Sequence, residues 1–373
     1  MKIRRISDLI SGSPGAPAVV SPLMPPRGIS SAAIGSTQGQ PVRKNNFDLA
    51  NESLARIVEA GLLNPTNAFG QVARWPRSAA TGRGFHGLNC IALAARAIEQ
   101  GFQSDQWCTF DRAQKNGWRV KAGERHEKVF MFKTVERDTG EVDEITGEPV
   151  IETFPSLRQH QLFNLDQLEI GAGTPPCADR HGFLVAKGDA EQMLLRVADN
   201  MGIEAIVEPG RGQSLSEGDC IRVSSIAQLA QSLLRVAMSE GVRQRSGRPP
   251  SGDAQLMQFD AEERLTLHVA QSMLSMKIGV ALDIPDPSAE DHGWAFNSAG
   301  GKSLAMRVGG RAEQAVNYVL AFDPELRDEI VSERQAMYDE ILDAEGDAAV
   351  FDGSTLILDQ VHGRAEAASA LAP

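Results

Sequence analysis

The chain has 373 residues, of which 42% are apolar and 5% aromatic, and its formal net charge is −12. This length predicts two domains, and the apolar fraction is ordinary for a soluble globular protein. The acidic balance excludes a protein that coats duplex DNA by its overall charge, but it permits a local basic groove. The apolar runs are too short to span a bilayer, and Gly and Pro interrupt the 6–20 segment, so we expect neither a membrane span nor a signal peptide.

The four cysteines, Cys90, Cys108, Cys177 and Cys220, are far apart in the sequence. Without a C-x-x-C pair they suggest neither a zinc ribbon nor a disulfide framework. We therefore expect buried, reduced thiols in a cytoplasmic protein.

The first half of the chain predicts an arm followed by a small mixed α/β domain. Residues 1–44 are rich in Ser, Gly, Pro and Ala and favour a flexible arm. The domain at 45–172 combines helical apolar spacing with short apolar strands. Its predicted elements are helices near 47–62, 88–101 and 109–116, strands at 129–132 and 161–164, and an acidic hairpin loop at 136–152.

A Gly/Pro-rich joint at 171–176 leads to a second, mostly helical domain at 177–345. The tail at 346–373 is Ala-rich and is expected to be frayed. Together the two domains predict an α+β fold. The elements predicted for the second domain are a strand pair at 205–208 and 220–223, and helices near 189–201, 225–241, 260–280, 304–321 and 324–343.

The loop Thr81–Asn89 contains three glycines, Arg83, Phe85 and His86, and it fits the spacing G-x-G-x-x-G. A dinucleotide fingerprint needs a strand just before it and a carboxylate about 20 residues further on. The 74–78 segment does not resemble a buried parallel strand, and Asp105 lies in a polar stretch, so we reject that interpretation. The plain alternative is a helix-entry loop in which the glycines turn the chain.

Basic and aromatic residues gather around this loop. Residues 70–133 contain 11 Lys or Arg against five Asp or Glu, and three of the four tryptophans. A cationic groove with rings on which bases stack is typical of single-stranded nucleic acid binding. Trp75, Phe85 and Trp118 have polar neighbours and are expected to be exposed, whereas Phe110, Phe130 and Phe132 are expected in the core.

Four segments of this region resemble, in order, the motifs of ArdC-type antirestriction proteins. They are Thr-Gly-Arg-Gly-Phe-His-Gly-Leu-Asn at 81–89, Trp-Cys-Thr-Phe-Asp-Arg-Ala at 107–113, Val-Lys-Ala-Gly-Glu at 120–124 and Phe-Asn-Leu-Asp-Gln at 163–167. The sequence departs from the family at Phe85, where Tyr is more usual, and at His86. The resemblance implies a domain that binds single-stranded DNA, in proteins of conjugative plasmids, phages and related mobile elements.

This resemblance and the local chemistry together give a candidate nucleic-acid site. We expect cations to neutralise phosphates, rings to stack on bases, and the glycines of the loop to make room for the strand. His86 and Asn89 are expected to add hydrogen bonds, although Asn89 is also suited to cap a helix. The predicted phosphate-binding residues are Arg74, Arg83, Lys115, Arg119 and Lys121, and the predicted stacking residues are Trp75, Phe85 and Trp118.

The second domain of the family is typically zincin-like, with H-E-x-x-H on a helix. That motif is absent from this sequence. In the corresponding helix Arg235, Val236 and Ser239 occupy the positions of His, Glu and His, and these side chains cannot build a catalytic zinc site. We therefore predict a degenerate zincin-like domain, no enzyme activity, no metal and no cofactor.

The resulting function is a sequence-tolerant single-stranded DNA-binding protein of a mobile element, protecting incoming DNA from host nucleases in the cytoplasm. Host defence or replication proteins are further potential partners. One alternative is a peptidase-like metalloenzyme with a rearranged site, for instance at Glu262, Glu263 and His268. Another is an inhibitor or scaffold that binds a host defence enzyme through the acidic second domain.

Overall fold

The structure is a computed structural model, and it describes residues 44–142, 149–171, 189–210, 215–217, 220–245, 253–284, 303–328 and 330. The predicted arm, apart from Lys44, the predicted tail and residues 172–176 of the predicted joint lie outside the described residues. So does the predicted helix at 324–343, except for the helical residues 324–328 and 330.

The three helices predicted for the first half are confirmed. Helix α1 (Asn46–Glu59) begins with a capping box, in which Asn45 and Asp48 each bond the other's backbone. Helix α2 (Leu88–Gln100) ends at Gly101, which adopts φ +70° as helix C-termini favour. Helix α3 (Phe110–Lys115) begins after Thr109, whose side chain accepts a hydrogen bond from Arg112 N as predicted.

These helices pack on a four-stranded sheet with the order β1-β2-β5-β4. Strand β1 runs parallel to β2, and the remaining neighbours are antiparallel. A separate two-stranded ribbon joins β3 to β6. The strands are β1 (Arg77–Ser78), β2 (Gln106–Thr109), β3 (Arg119–Val120), β4 (Glu127–Val142), β5 (Pro149–Asn164) and β6 (Leu168–Glu169).

The prediction of a long acidic loop at 136–152 is wrong, because β4 and β5 extend through most of it. The backbone ladder continues past Arg137, which lies opposite Glu152 in the register. The Thr139-Gly140 pair does not end the strand. It lies where the register shifts between Asp138 and Val142, and Gly140 has φ +75° there, so this turn signal marks an irregularity within the strand pair.

The 74–78 segment also differs from expectation, because Arg77 and Ser78 form a buried parallel strand. The backbone of Arg77 donates to the Asp105 carbonyl at 2.8 Å, and its guanidinium pairs with the Asp105 carboxylate at 2.9 Å. Both side chains are buried. A buried arginine conceals such a strand from any search for apolar runs.

The second half contains four helices with described bounds and a small sheet, and residues 324–328 and 330 are also helical. Strands β7 (Glu204–Val207) and β9 (Cys220–Val223) form the predicted pair, in parallel, and β8 (Leu215–Glu217) adds an antiparallel edge that was not predicted. The helices are α4 (Ala190–Asn200), α5 (Ile226–Arg245), α6 (Asp253–Ile278) and α7 (Leu304–Leu320). The α+β fold class is confirmed.

One hydrophobic core joins the two halves of the chain. Leu54 and Ile91 from the first half lie in the same buried cluster as Met193, Met273 and Val316 from the second. Helix α7 contacts both α1 and α2. The boundary that the sequence suggested near residues 171–176 therefore does not separate two hydrophobic cores. From Lys44 onward the protein packs as one compact unit.

Candidate nucleic-acid interface

The Thr81–Asn89 loop closes a tight turn before it enters α2. Ser78 N donates to Arg83 O, and Gly82 N donates to Ser78 O, both at 2.8 Å. Gly82 and Gly87 have φ of +72° and +57°, which side chains with a Cβ rarely adopt. These two glycines therefore turn the chain.

Gly84 makes room for a ring of the protein itself. A Cβ on Gly84 would lie 2.8 Å from Trp75 Nε1. The same indole nitrogen donates to Phe85 O at 2.9 Å, and Lys277 Nζ lies 4.4 Å from the centroid of the indole ring. Trp75 is thus half-buried and fixed between the loop and α6, contrary to the prediction of an exposed stacking ring.

The Phe85 side chain is also half-buried rather than exposed. It packs against the buried cluster that contains Leu93, Trp107, Val129 and Leu162. Part of the ring remains accessible to solvent. Because its other surface supports α2 on the sheet, removal of this ring affects packing as well as any ligand.

His86 contacts α7. Its Nδ1 lies 2.5 Å from Glu313 Oε1, and Gly87 N donates to Glu313 Oε2 at 2.7 Å. Burial disfavours ionisation of Glu313, but His86, the Gly87 N–H and Lys277 outweigh it and hold the pKa of this carboxyl below its ordinary value. His86 therefore joins the loop to the second half of the chain. The sequence analysis predicted a hydrogen bond from His86 to nucleic acid and did not predict this contact.

Asn89 is neither a cap of α2 nor an open hydrogen-bonding group. The N-cap position is occupied by Gly87, so no side chain caps this helix. The Asn89 amide donates to Phe130 O and accepts from Phe130 N, both at 2.8 Å. Because β4 is an edge of its sheet, this amide satisfies backbone groups that would otherwise lack a strand partner.

Two predicted aromatic environments are reversed in the structure. Trp118 is only 3% exposed and packs with Ala79, Cys108, Ala113, Phe163 and Leu168, so its ring cannot stack on a base. Phe110, expected in the core, is 46% exposed. The predicted burial of Phe130 is confirmed, and the side chain of Phe132 lies outside the described residues.

The exposed cations concentrate on α3, β3 and the turn after them, which we call the α3–β3 surface. Phe110 lies at its start, and Lys121 Nζ donates to Asp166 O at 2.7 Å. The turn that carries Arg83 lies alongside, because Ala79 packs with Ala113 and Trp118. The cations of the surface are Arg112, Lys115, Arg119, Lys121 and Arg125, all exposed.

Arg74 is also exposed, on the segment that leads into β1. It directly follows a hairpin at 65–73 whose tip carries Phe69, which is 88% exposed. The sequence analysis missed both Phe69 and Phe110. Phe69 lies between the turn-forming residues Asn67 and Gly70, which is a detectable signal, and α3 is too short to bury its first residue.

Glu262, the first ligand of the alternative metal site, is bonded to two arginines instead. The Glu262 carboxylate accepts from Arg307 Nη2 at 2.9 Å and from Arg311 Nη1 at 3.3 Å, so it bridges α6 and α7. Arg235 and Ser239 are exposed on α5, and His268 is buried on α6. Within the described ranges, no group of three His, Cys, Asp or Glu side chains is placed to hold a metal ion.

The described cysteines are all free thiols. Cys90 and Cys108 are buried as predicted, Cys220 is half-buried, and Cys177 lies outside the described residues. Burial raises the pKa of Cys108 to about 11, and burial together with the Glu313 charge raises that of Cys90. Both are therefore poor nucleophiles.

These features define an α+β protein with a basic surface beside a glycine-rich loop, and they agree with a known class. Residues 50–163 match the family described as the N-terminal domain of anti-restriction factor ArdC. Residues 50–163 therefore form an ArdC-type N-terminal domain, as the motifs in this region predicted.

The relatives and solved structures are distant. The protein is 22% identical over 292 residues to the uncharacterized protein y4eC of Sinorhizobium fredii, which covers 74% of this chain and 91% of that protein. It is 25% identical over 267 residues to the DNA primase TraC of Escherichia coli, and this match covers 66% of the chain but only 24% of the primase.

The metal-free crystal structure of the antirestriction protein ArdC from plasmid R388 shares the fold, with a TM-score of 0.52 at 20% identity, covering 74% of this chain and 97% of that one. Its Mn(II)-bound form gives a TM-score of 0.50 at 18% identity, covering 75% and 99%. None of the helices in the described segments is both long and apolar enough to cross a membrane.

Proposed function

We propose that this protein binds single-stranded DNA along the α3–β3 surface and protects incoming DNA of a mobile element from host nucleases. The observation that carries the proposal is the concentration of five exposed cations on residues 110–125, against two acidic residues there, in a chain of net charge −12. Such a local excess attracts a phosphate backbone, while the acidic remainder repels it.

The half-exposed ring of Phe110 supplies the second component of a single-strand site. It lies at the start of α3, within the same surface, and leans on Phe163 with a centroid separation of 6.5 Å. Stacking on a ring tolerates any base, because every base has a π-face. Sequence-tolerant binding suits a protein that must cover whatever strand enters the cell.

The ArdC-type N-terminal domain supports the biological role. An antirestriction protein from plasmid R388 and a DNA primase of Escherichia coli are both similar to this chain. The proposed role for this chain is therefore protection of DNA by occupancy.

The test is a titration of labelled single-stranded DNA, duplex DNA and RNA with the full chain at several salt concentrations. We expect single-stranded DNA to bind most tightly, with an affinity that falls as salt rises, because phosphate contacts release counterions. For the double variant Lys115→Ala/Arg119→Ala, the slope of log K against log salt should become shallower by about 1.4, which is about 0.7 per lost phosphate contact.

The matched control is the double variant Arg222→Ala/Arg235→Ala, which removes the same charge from exposed positions on β9 and α5. This control should bind with nearly the wild-type salt slope. Equal losses in both variants would mean that net charge alone governs binding, and a wild-type protein without salt-sensitive binding would refute the proposed function.

A further inference from the structure

The hairpin that carries Phe69 is rigidly hydrogen-bonded, which sets its tip apart from an ordinary exposed loop. The backbone of Asn67 donates to Gln71 O at 2.8 Å, and Gly70 N donates to Asn67 O at 2.9 Å. The Asn67 side-chain oxygen accepts from both Phe69 N and Gln71 N at 3.0 Å. One asparagine therefore fixes the whole tip.

The base of the hairpin is anchored in the protein. Ala73 N donates to Pro65 O at 2.7 Å, and Thr66 bridges to Val72. Pro65 and Leu63 are buried, while Val72 and Ala73 pack against the main core. The hairpin thus projects from a fixed base.

The ring at this tip is the most exposed large apolar side chain in the described part of the protein, at 88%. Single exposed apolar residues are common and by themselves indicate nothing. Here, however, the local hydrogen bonds fix the backbone that carries Phe69. The hairpin therefore need not order its backbone when the ring binds a partner, which lowers the entropy cost of binding.

The charge around the hairpin indicates what the ring meets. Residues 60–98 contain four arginines and no Asp or Glu, but the Arg77 guanidinium is buried against Asp105, and Arg96 pairs with Glu99. Arg74, at the foot of the hairpin, is exposed. Phe69 is held on a fixed backbone, and the exposed guanidinium of Arg74 follows the hairpin. An aromatic ring with a nearby cation is suited to bind a single-stranded nucleic acid.

We infer that Phe69 is a stacking platform for an unpaired base of the same DNA strand, with Arg74 contacting the adjoining phosphate. This inference rests on the proposed function, and it extends the site beyond the α3–β3 surface. The chain from Ala73 to Ala79 spans at most about 22 Å, so one strand can reach both places. Phe69 and Phe110 thus take the base-stacking role that the sequence analysis assigned to Trp75 and Trp118.

The test compares an oligodeoxythymidylate of about 16 nucleotides, near the upper limit of single-strand site sizes, with an otherwise identical strand of abasic residues. Wild type should prefer the strand with bases. Phe69→Ala should weaken binding to that strand by about 5-fold or more, while binding to the abasic strand stays unchanged, because only the stacking contact is lost. Phe69→Trp should bind at least as tightly as wild type.

Two controls make the result specific. Met131→Ala removes another exposed apolar side chain, which is 49% exposed on β4, and should bind like wild type. Phe69→Leu keeps an apolar side chain without a ring and should behave like Phe69→Ala. Because the Phe69 side chain is exposed, all variants should unfold at the wild-type temperature.

The outcomes separate this inference from the proposed function. If wild type binds neither strand, the proposed function fails and this inference fails with it. If wild type binds but Phe69→Ala binds each strand as tightly as wild type does, the inference is wrong and the proposed function stands. If Phe69→Leu matches wild type while Phe69→Ala does not, the residue makes a plain apolar contact and the stacking role is refuted.

Discussion

His86 and Glu313 lie 227 residues apart in the sequence, yet His86 Nδ1 and Glu313 Oε1 are 2.5 Å apart in the structure. The other carboxylate oxygen accepts the backbone N–H of Gly87. One buried carboxylate on α7 thus fixes the entrance of α2, and with it the glycine-rich loop. The loop is therefore part of the joint between the two halves of the chain.

This arrangement predicts that Glu313→Gln destabilises the protein. An amide retains one acceptor oxygen for the Gly87 N–H but loses the charge that attracts His86, at a cost of about 1–3 kcal/mol. Urea unfolding at neutral pH measures the difference. The control Glu325→Gln alters a carboxylate whose side chain is 81% exposed and should change little. Wild-type stability of Glu313→Gln would contradict the role of the carboxylate.

The same carboxylate predicts an acid dependence. Because its pKa in the folded protein is below the ordinary value of 4.5, its stabilising contribution is complete above that value and is lost as pH falls below it. The difference in unfolding free energy between wild type and Glu313→Gln should therefore shrink as the pH falls below the ordinary carboxyl value of 4.5. A difference that stays constant or grows on acidification would refute this assignment.

The close approach of α7 to the loop predicts the effect of Gly309→Ala. A Cβ at Gly309 would clash with Leu88 N and lie 2.9 Å from Gly87 C. In an isolated helix Ala is favoured over Gly by about 1 kcal/mol. Here we expect the opposite sign, a loss of about 1–3 kcal/mol, because the helices must separate. Thermal unfolding decides, and a raised melting temperature would mean that the contact is not tight.

The hydrogen bonds of Asn89 predict that Asn89→Ala lowers the stability of the protein without lowering its affinity for single-stranded DNA. Asn89→Ala removes two hydrogen bonds to the β4 edge and exposes Phe130 N and O, at an expected cost of about 1–3 kcal/mol. Single-stranded DNA affinity, measured below the unfolding transition, should stay at the wild-type value. A selective loss of affinity without a loss of stability would instead support the original prediction that this amide contacts nucleic acid.

The buried pair of Arg77 and Asp105 predicts strong coupling. Removing either partner leaves an uncompensated buried charge, so Arg77→Met or Asp105→Leu alone should cost about 3–5 kcal/mol. The double variant should be less destabilised than the sum of the single variants, and a double-mutant cycle measures the difference. Additive effects would show that the pair does not interact as the geometry requires.

Local signals were sufficient to predict most of the regular elements. The caps Thr109 and Gly101 and the apolar spacing of α1, α2 and α7 involve residues within one or two turns of each other, so the sequence displays them directly. The elements that failed depend on distant partners. Strand β1 exists because Arg77 meets Asp105 and β2, and β4 continues past its acidic residues because β5 lies beside it.

The candidate site divides in the same way. The sequence alone predicted the ArdC-type resemblance, the basic excess between residues 70 and 133 and three cations of the α3–β3 surface, Lys115, Arg119 and Lys121, because these depend on residue type and order. Only the tertiary structure decided which rings are exposed. Trp118 is buried although its polar neighbours favoured exposure, and Phe110 is exposed although it was expected in the core. Burial depends on which remote segment covers a side chain, and that information is absent from its neighbours in the sequence.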